Sequence, residues 1–313
     1  MRSKIVFAFG AAASADYDEG LSAKLIHLNA ALDCNWKSGQ HAEIKSWSCG
    51  YACDNAGPVT DVELLDFKLL SSFGIVANYG GQCLVSFRGT KDLINDIEDG
   101  DILFAKPYPE CPDCKVHGGF HGNWKVLAGA TRKALAALDC APGSSKPVLI
   151  TGHSLGAAMA ALALFDLVGE GYNVKTAYTY GQPRVGDANF AKEFDARMAG
   201  VSYYRVTNFK DAVPAVPTKW MGYRHVGPEV YYHATQLGAY KVCDGDEDPT
   251  CNDNWNLITV LQHTCDHCSY LGLNPCHCSS VAPDCTEPRA EADDPNFVVP
   301  PGLLPPSNAS VVV

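Results

Sequence analysis

Gly152-His153-Ser154-Leu155-Gly156 has the residue types and spacing of a reactive turn, G-x-S-x-G. A short apolar run, 148–151, precedes it, and an Ala/Leu-rich run, 155–168, follows it. A serine on so tight a strand-to-helix turn is held in strained backbone and pushed out above the sheet edge. Glycine at 152 and 156 removes the Cβ atoms that would collide with neighbouring backbone. The chemistry this supports is covalent acyl transfer through the Ser154 hydroxyl. The helix start behind it leaves N–H groups unpaired, and the N–H of Leu155 is placed to stabilise a developing oxyanion.

A serine needs a base, and the base needs an orienting acid. In a strand–turn–helix hydrolase these follow in the order serine, acid, histidine. Asp211 follows an apolar stretch, 203–207, and precedes Ala212-Val213-Pro214. The carboxyl end of a strand is where such a sheet carries its functional groups. Asp187, after Pro183-Arg184-Val185-Gly186, is the rival acid. The histidines beyond Asp211 are His225, His233, His263, His267 and His277. His267 is favoured because it lies near the end of the patterned sequence, and physics alone leaves His263 and His233 open.

The elements that must hold these groups follow from periodicity. Leu21, Leu25, Leu28 and Leu32 share a helical face. Runs 75–78 and 83–87 read as strands joined at Gly80-Gly81. A helix is expected over 123–138, strands over 148–151, 174–180 and 203–207, and a helix over 155–168. Strands alternating with helices imply a mostly parallel central sheet with flanking helices, and the strand–elbow–helix at Ser154 places that sheet in the α/β-hydrolase class of fold.

Composition narrows the function further. The chain has 313 residues, 47% hydrophobic, enough for a large core, and a formal net charge of −11. No Lys/Arg cluster is present to displace phosphate counterions, so nucleic acid is excluded as a partner. Arg2, Lys4, the apolar run 5–13 and Ala13-Ser14-Ala15 form the pattern of a secretory signal peptide spanning 1–15. No other run approaches the roughly 18 apolar residues of a membrane span. Fourteen cysteines, an even number, fit disulfides in an exported chain. The expected layout is signal 1–15, catalytic domain 16–285 and a flexible, acidic, Pro-rich tail 286–313.

Two clusters invite a metal and are read otherwise. Cys265, Cys268, Cys276 and Cys278 with His263, His267 and His277 have zinc-like spacing, but in an exported chain disulfides account for the cysteines. The loop Asp244-Gly245-Asp246-Glu247-Asp248 fails the calcium-loop pattern, with Pro249 where glycine is required and Trp255 where the bidentate glutamate belongs. Cys243 and Cys251 are spaced to close it as an acidic surface loop. No metal and no organic cofactor is expected.

Several segments together resemble the fungal-type class 3 lipases, the filamentous-fungal triacylglycerol lipase family. Val85-Ser86-Phe87-Arg88-Gly89-Thr90 is similar to that family's oxyanion-loop strand, and Val116-His117-Gly118-Gly119-Phe120 to its H-x-G-F segment. The elbow extends through Ala157-Ala158, and 179–186 resembles the following strand and loop. Segment 204–214 resembles the part bearing the catalytic aspartate, and 266–271 the part bearing the catalytic histidine. The likeness runs from about residue 20 to 275. It implies a triad of Ser154, Asp211 and His267, with Thr90 and Leu155 donating to the oxyanion.

The resemblance also implies a lid at about 91–102, with Leu93, Ile94 and Ile97 as its apolar face. Asp96 stands where well-known lipases of the family carry tryptophan, and Asp92, Glu98, Asp99 and Asp101 add charge. Such a lid is closer to the family's esterase relatives, including feruloyl esterases. The leading expectation is a secreted triacylglycerol lipase acting on lipid or ester substrate at a lipid–water interface. The alternatives are a soluble-substrate esterase, a phospholipase, or a catalytically silent binding protein on the same scaffold.

Overall fold

Strand residues alternate between two faces, and here both faces are apolar, so the sheet needs cover on each side. In the third strand Cys83, Val85 and Phe87 enter one core, while Leu84 enters the other. The computed structural model describes residues 17–90, 103–234, 237–255, 260 and 264–276. The expected signal, 1–15, and tail, 286–313, lie outside the described residues. So do Leu93, Ile94 and Ile97 of the expected lid, and His263 and His277.

In chain order the first elements are α1 (Glu19–Cys34), α2 (His41–Lys45), α3 (Tyr51–Ala56), β1 (Val59–Phe67), β2 (Ser72–Tyr79) and β3 (Gln82–Phe87). Then come β4 (Phe104–Ala105), β5 (Val116–His117), α4 (Gly118–Ala137), β6 (Val148–His153), α5 (Leu155–Gly169) and β7 (Val174–Tyr180). The last are β8 (Gly186–Asp187), α6 (Ala188–Arg197), β9 (Ser202–Asn208), β10 (Tyr223–Arg224), β11 (Glu229–Tyr232) and β12 (Tyr240–Val242). The main sheet runs β1-β2-β3-β6-β7-β9-β11-β12. Its centre, β3 to β11, is parallel throughout, and the antiparallel pairs lie at β1-β2-β3 and β11-β12. A small antiparallel sheet, β10-β8-β5-β4, stands apart from it.

Helices α4, α5 and α6 cover one face, with Trp124, Leu162, Phe165 and Phe190 in that core. Helix α1 covers the other through Leu25, Ile26, Leu28 and Leu32. α5 is buried almost all round, as its Ala/Leu composition requires. Its neighbour α4 begins five residues before the expected start, because the His117 ring accepts the Phe120 N–H at 3.3 Å and caps it. α1 begins at Glu19, where the Asp18 carboxylate accepts the Leu21 N–H at 2.9 Å.

The hairpin expected at Gly80-Gly81 forms, with both glycines at positive φ (55° and 82°) and Tyr79 opposite Gln82. Strands β1, β11 and β12 escape a periodicity reading. β1 carries a register break between Thr60 and Glu63, and β12 is three residues long and largely exposed. Disulfides join Cys49–Cys53, Cys83–Cys140, Cys111–Cys114, Cys243–Cys251 and Cys268–Cys276. Cys34 and Cys265 are disulfide-bonded as well.

Candidate active site

Parallel register brings four strand ends into one row. Phe87 of β3 lies opposite Gly152 of β6, His153 opposite Tyr180 of β7, and Tyr180 opposite Val206 of β9. The segments just beyond carry Thr90, Ser154, Gly181 and Asp211.

Ser154 ends β6 at φ 60°, ψ −127°, and its N–H donates to the Tyr180 carbonyl at 2.9 Å. A residue with a Cβ is rarely found there, and surrounding packing has to hold it. That packing is visible at the glycines. A Cβ on Gly152 would strike the Gly156 carbonyl, and one on Gly156 would strike the Phe87 carbonyl. The two glycines let β3, β6 and the start of α5 approach at backbone distance. Leu155 is the first residue of α5, so its N–H has no acceptor one turn earlier. Gly89 lies against the same turn: a Cβ there would sit 3.1 Å from the Ser154 Cβ. Thr90 follows immediately.

His267 lies on a short 3-10 turn, Thr264–Cys268. Its Nδ1 is 3.0 Å from both carboxylate oxygens of Asp211. Asp211 is fully buried and also accepts the Val213 N–H at 2.9 Å and the Tyr270 hydroxyl. Burial pushes its carboxyl up, but the charge of His267 and these hydrogen bonds outweigh it, and the group ends below the usual carboxylate range. Burial and the Asp211 charge hold the Tyr270 phenol well above its usual value, so it stays a donor. Gly181 gives the cluster room, since a Cβ there would fall 2.8 Å from both Asp211 and His267.

The Ser154 Oγ and the His267 Nε2 are both buried and without a hydrogen-bond partner. The His153 ring stacks on the His267 ring at 4.5 Å, which puts His267 beside the elbow.

The other residues considered from sequence lie elsewhere. The rival Asp187 accepts the N–H groups of Phe190 (2.9 Å) and Lys115 (3.1 Å), so it caps α6 and ties it to β5. His225 points its Nε2 at the Pro214 carbonyl at 2.8 Å, and burial holds its basicity well below the usual value. His233 is exposed beyond β11. The cysteines of the two metal-like clusters are spent on disulfides where described: Cys268 with Cys276, Cys243 with Cys251, and Cys265 also bonded.

Three participants have no sequence signature. Asp33 reaches in from α1, Tyr270 donates its hydroxyl to Asp211, and Asp266 lies buried beside Asp211. Burial, then the Asp211 charge, push the Asp266 carboxyl up to about 7, against the Lys210 N–H and charge.

Residues 84–221 match the class 3 lipases. A secreted mono- and diacylglycerol lipase 1 of Fusarium solani is 38% identical over 255 residues, covering 76% of this chain and 72% of that protein. The chain belongs to the class 3 lipase family. A secreted mono- and diacylglycerol lipase A of Penicillium cyclopium is 32% identical over 197 residues, 61% of this chain. That match spans 63% of the Penicillium protein's length. The solved Rhizomucor miehei triacylglyceride lipase has a TM-score of 0.68 at 28% identity, covering 83% of this chain and 96% of that one. The α/β-hydrolase architecture of this class 3 lipase chain, a mostly parallel sheet between helices, is the one expected from its sequence. No helix among the described residues is long and apolar enough to cross a membrane.

Proposed function

We propose that this class 3 lipase chain is a secreted serine carboxylester hydrolase that cleaves acylglycerols through Ser154, His267 and Asp211. The observation that carries the reading is the polarity of His267. Its Nδ1 is held by a buried carboxylate at 3.0 Å, while its Nε2 is unpartnered in a cluster that also contains the unpartnered Ser154 Oγ. Nδ1 bonded to an acceptor-only carboxylate carries a proton, which leaves Nε2 of the neutral ring as a base.

In this reading Ser154 Oγ attacks the ester carbonyl as His267 Nε2 takes its proton. Asp211 holds the ring and stabilises the imidazolium that forms. The carbonyl oxygen becomes an oxyanion against the N–H of Leu155 and the Thr90 donor. His267 returns the proton to the leaving alcohol, and water repeats the sequence on the acyl-enzyme. These steps draw on side chains and backbone alone.

The names of the Fusarium and Penicillium relatives favour mono- and diacylglycerols among lipid substrates, and both relatives are called secreted. Export fits the signal pattern at 1–15 and the disulfides. The proposed catalytic unit is 16–285, with 91–102 as a lid bearing Leu93, Ile94 and Ile97 and 286–313 as a tail. The acidity of that lid sequence favours one second reading, an esterase of more soluble esters, feruloyl-type esters included.

Tributyrin hydrolysis across its solubility limit, with the Ser154→Ala variant alongside, tests both readings. Loss in the variant with a rate jump at emulsion supports a lidded lipase. Saturation before the emulsion forms moves the assignment to a soluble esterase. A variant as active as the parent removes Ser154 as nucleophile.

A further inference from the structure

His153, the residue before the nucleophile, is buried at 2% exposure and has a partner on each ring nitrogen. Its Nε2 lies 2.9 Å from the backbone carbonyl of His267. A carbonyl only accepts, so Nε2 carries a hydrogen. Its Nδ1 lies 3.2 Å from the Oδ2 of Asp33, whose side chain is 12% exposed. The other oxygen of Asp33 accepts the N–H of Gly89 at 2.8 Å. With Nε2–H committed, the Nδ1–Oδ2 contact needs one more proton, either on the ring or on the carboxyl. The pair joins four pieces of backbone: α1, the loop after β3, the elbow and the histidine turn.

The pieces joined are those whose relative position the chemistry needs. Gly89 precedes Thr90, and it packs so closely on the elbow that an added Cβ would lie 3.0 Å from the His153 carbonyl and 3.1 Å from the Ser154 Cβ. The His267 carbonyl belongs to the proposed general base, whose ring stacks on His153 at 4.5 Å. We propose that Asp33 and His153 are positioning residues that hold the oxyanion side of the site and the His267 turn in fixed relation to Ser154. Neither touches the reacting atoms in this assignment. Asp33 acts through the Gly89 N–H and through His153, and His153 acts through the His267 carbonyl. The inference rests on the Ser154–His267–Asp211 reading above.

The chemistry of the pair supplies a discriminating series. In Asp33→Asn the amide oxygen still accepts from Gly89, and the amide N–H donates to Nδ1 of a neutral His153 whose Nε2–H is unchanged. Asp33→Ala removes both bonds and leaves Nδ1 buried and unpaired. Initial rates would be measured on soluble p-nitrophenyl butyrate, with thermal unfolding of each protein recorded in parallel. Displacing an oxyanion donor or a base by a fraction of its reach costs on the order of 100-fold. Asp33→Ala is expected to lower kcat by about 10- to 100-fold with KM within about threefold, and Asp33→Asn to recover most of that loss. Ala and Asn variants that fall equally in kcat overturn the positioning role. So does a loss confined to KM or to the unfolding midpoint. An Asp33→Ala protein that does not fold leaves the Asn variant to decide: folded and largely active supports the proposal, folded and impaired as the Ser154→Ala protein is overturns it. Ser154→Ala runs in the same series. If it is dead while Asp33→Ala keeps parental kcat, the positioning role alone fails; if Ser154→Ala is active, the nucleophile assignment fails and this inference falls with it.

Discussion

The elbow at Ser154 and the turn at His267 meet at one place and are held there by opposite means. The elbow is a backbone object. Strand register aims it, a strained φ of 60° turns it, and two glycines let Phe87, Gly152 and Gly156 pack main chain on main chain. The histidine turn has almost no regular structure. It is tied by the Cys268–Cys276 disulfide, by a single bridge between Tyr270 and Leu273, and by hydrogen bonds from Asn208 and His153 to the Asp266 and His267 carbonyls. A backbone device is specified within a few residues of sequence, whereas a side-chain-tethered turn is specified by partners far along the chain. Damage to the first should appear as failure to fold, and damage to the second as loss of rate in a folded protein.

Gly156→Ala is the harshest test of the first half. Its Cβ would sit on the Phe87 carbonyl, which belongs to a central strand and cannot retreat. Overpacking typically costs about 1–3 kcal/mol and occasionally more, and a clash with fixed main chain belongs at the upper end. We expect little soluble protein and a much lower unfolding midpoint. A soluble, fully active variant would show that the elbow does not depend on that close approach.

Replacing Cys268 and Cys276 together with serine tests the second half. Closing so short a loop is worth about 2–3 kcal/mol in the chain-entropy account. The sheet and elbow make no use of this bond, so the protein should fold with reduced denaturant stability and a kcat lower by about 10-fold. Parental kcat in the double variant would mean that the remaining ties, the hydrogen bonds and the disulfide at Cys265, are enough to hold His267.

Tyr270→Phe is finer still, removing one donor from Asp211 and almost no volume. Asp211 keeps His267 and the Val213 N–H. A hydrogen bond to a buried charge is worth roughly 1.5–3 kcal/mol, so kcat should fall by about 10-fold with KM little changed. An unchanged kcat would reduce Tyr270 to packing.

The same division explains what the sequence disclosed. The elbow, the parallel strands and the helix behind Ser154 follow from apolar runs punctuated by glycine, because period and turn chemistry are local. The proposed acid, Asp211, is legible only as the end of a strand. The proposed base is one of several histidines by physics, and resemblance to a family singles out His267. Asp33, fifteen residues into a helix whose only pattern is a leucine stripe, gives no sign that it faces Gly89 and His153. Asp266 reads as a polar neighbour of His267, and its burial depends on packing against Lys210 and Asp211.

Asp266 offers the smallest effect, read through pH. Its carboxyl is raised to about 7 by burial and by the Asp211 charge, with the Lys210 N–H and charge opposing. An unfolded aspartate titrates near 3.9. A raised folded value means that its contribution to stability is fully present below about pH 4 and is lost as pH rises through about 7. Asp211 has the opposite sign: its folded value is lowered, so its contribution is present above about 3.9 and lost as pH falls. Asp266→Asn deletes only the first dependence. Compared by urea unfolding at pH 5 and pH 8, the Asn variant should gain on the parent at the higher pH by on the order of 1 kcal/mol. Its acid limb, set by Asp211, should stay where it is. A difference between parent and variant that does not change with pH would mean that Asp266 is ionised across the range, and the turn carrying His267 would then bear two buried charges rather than one.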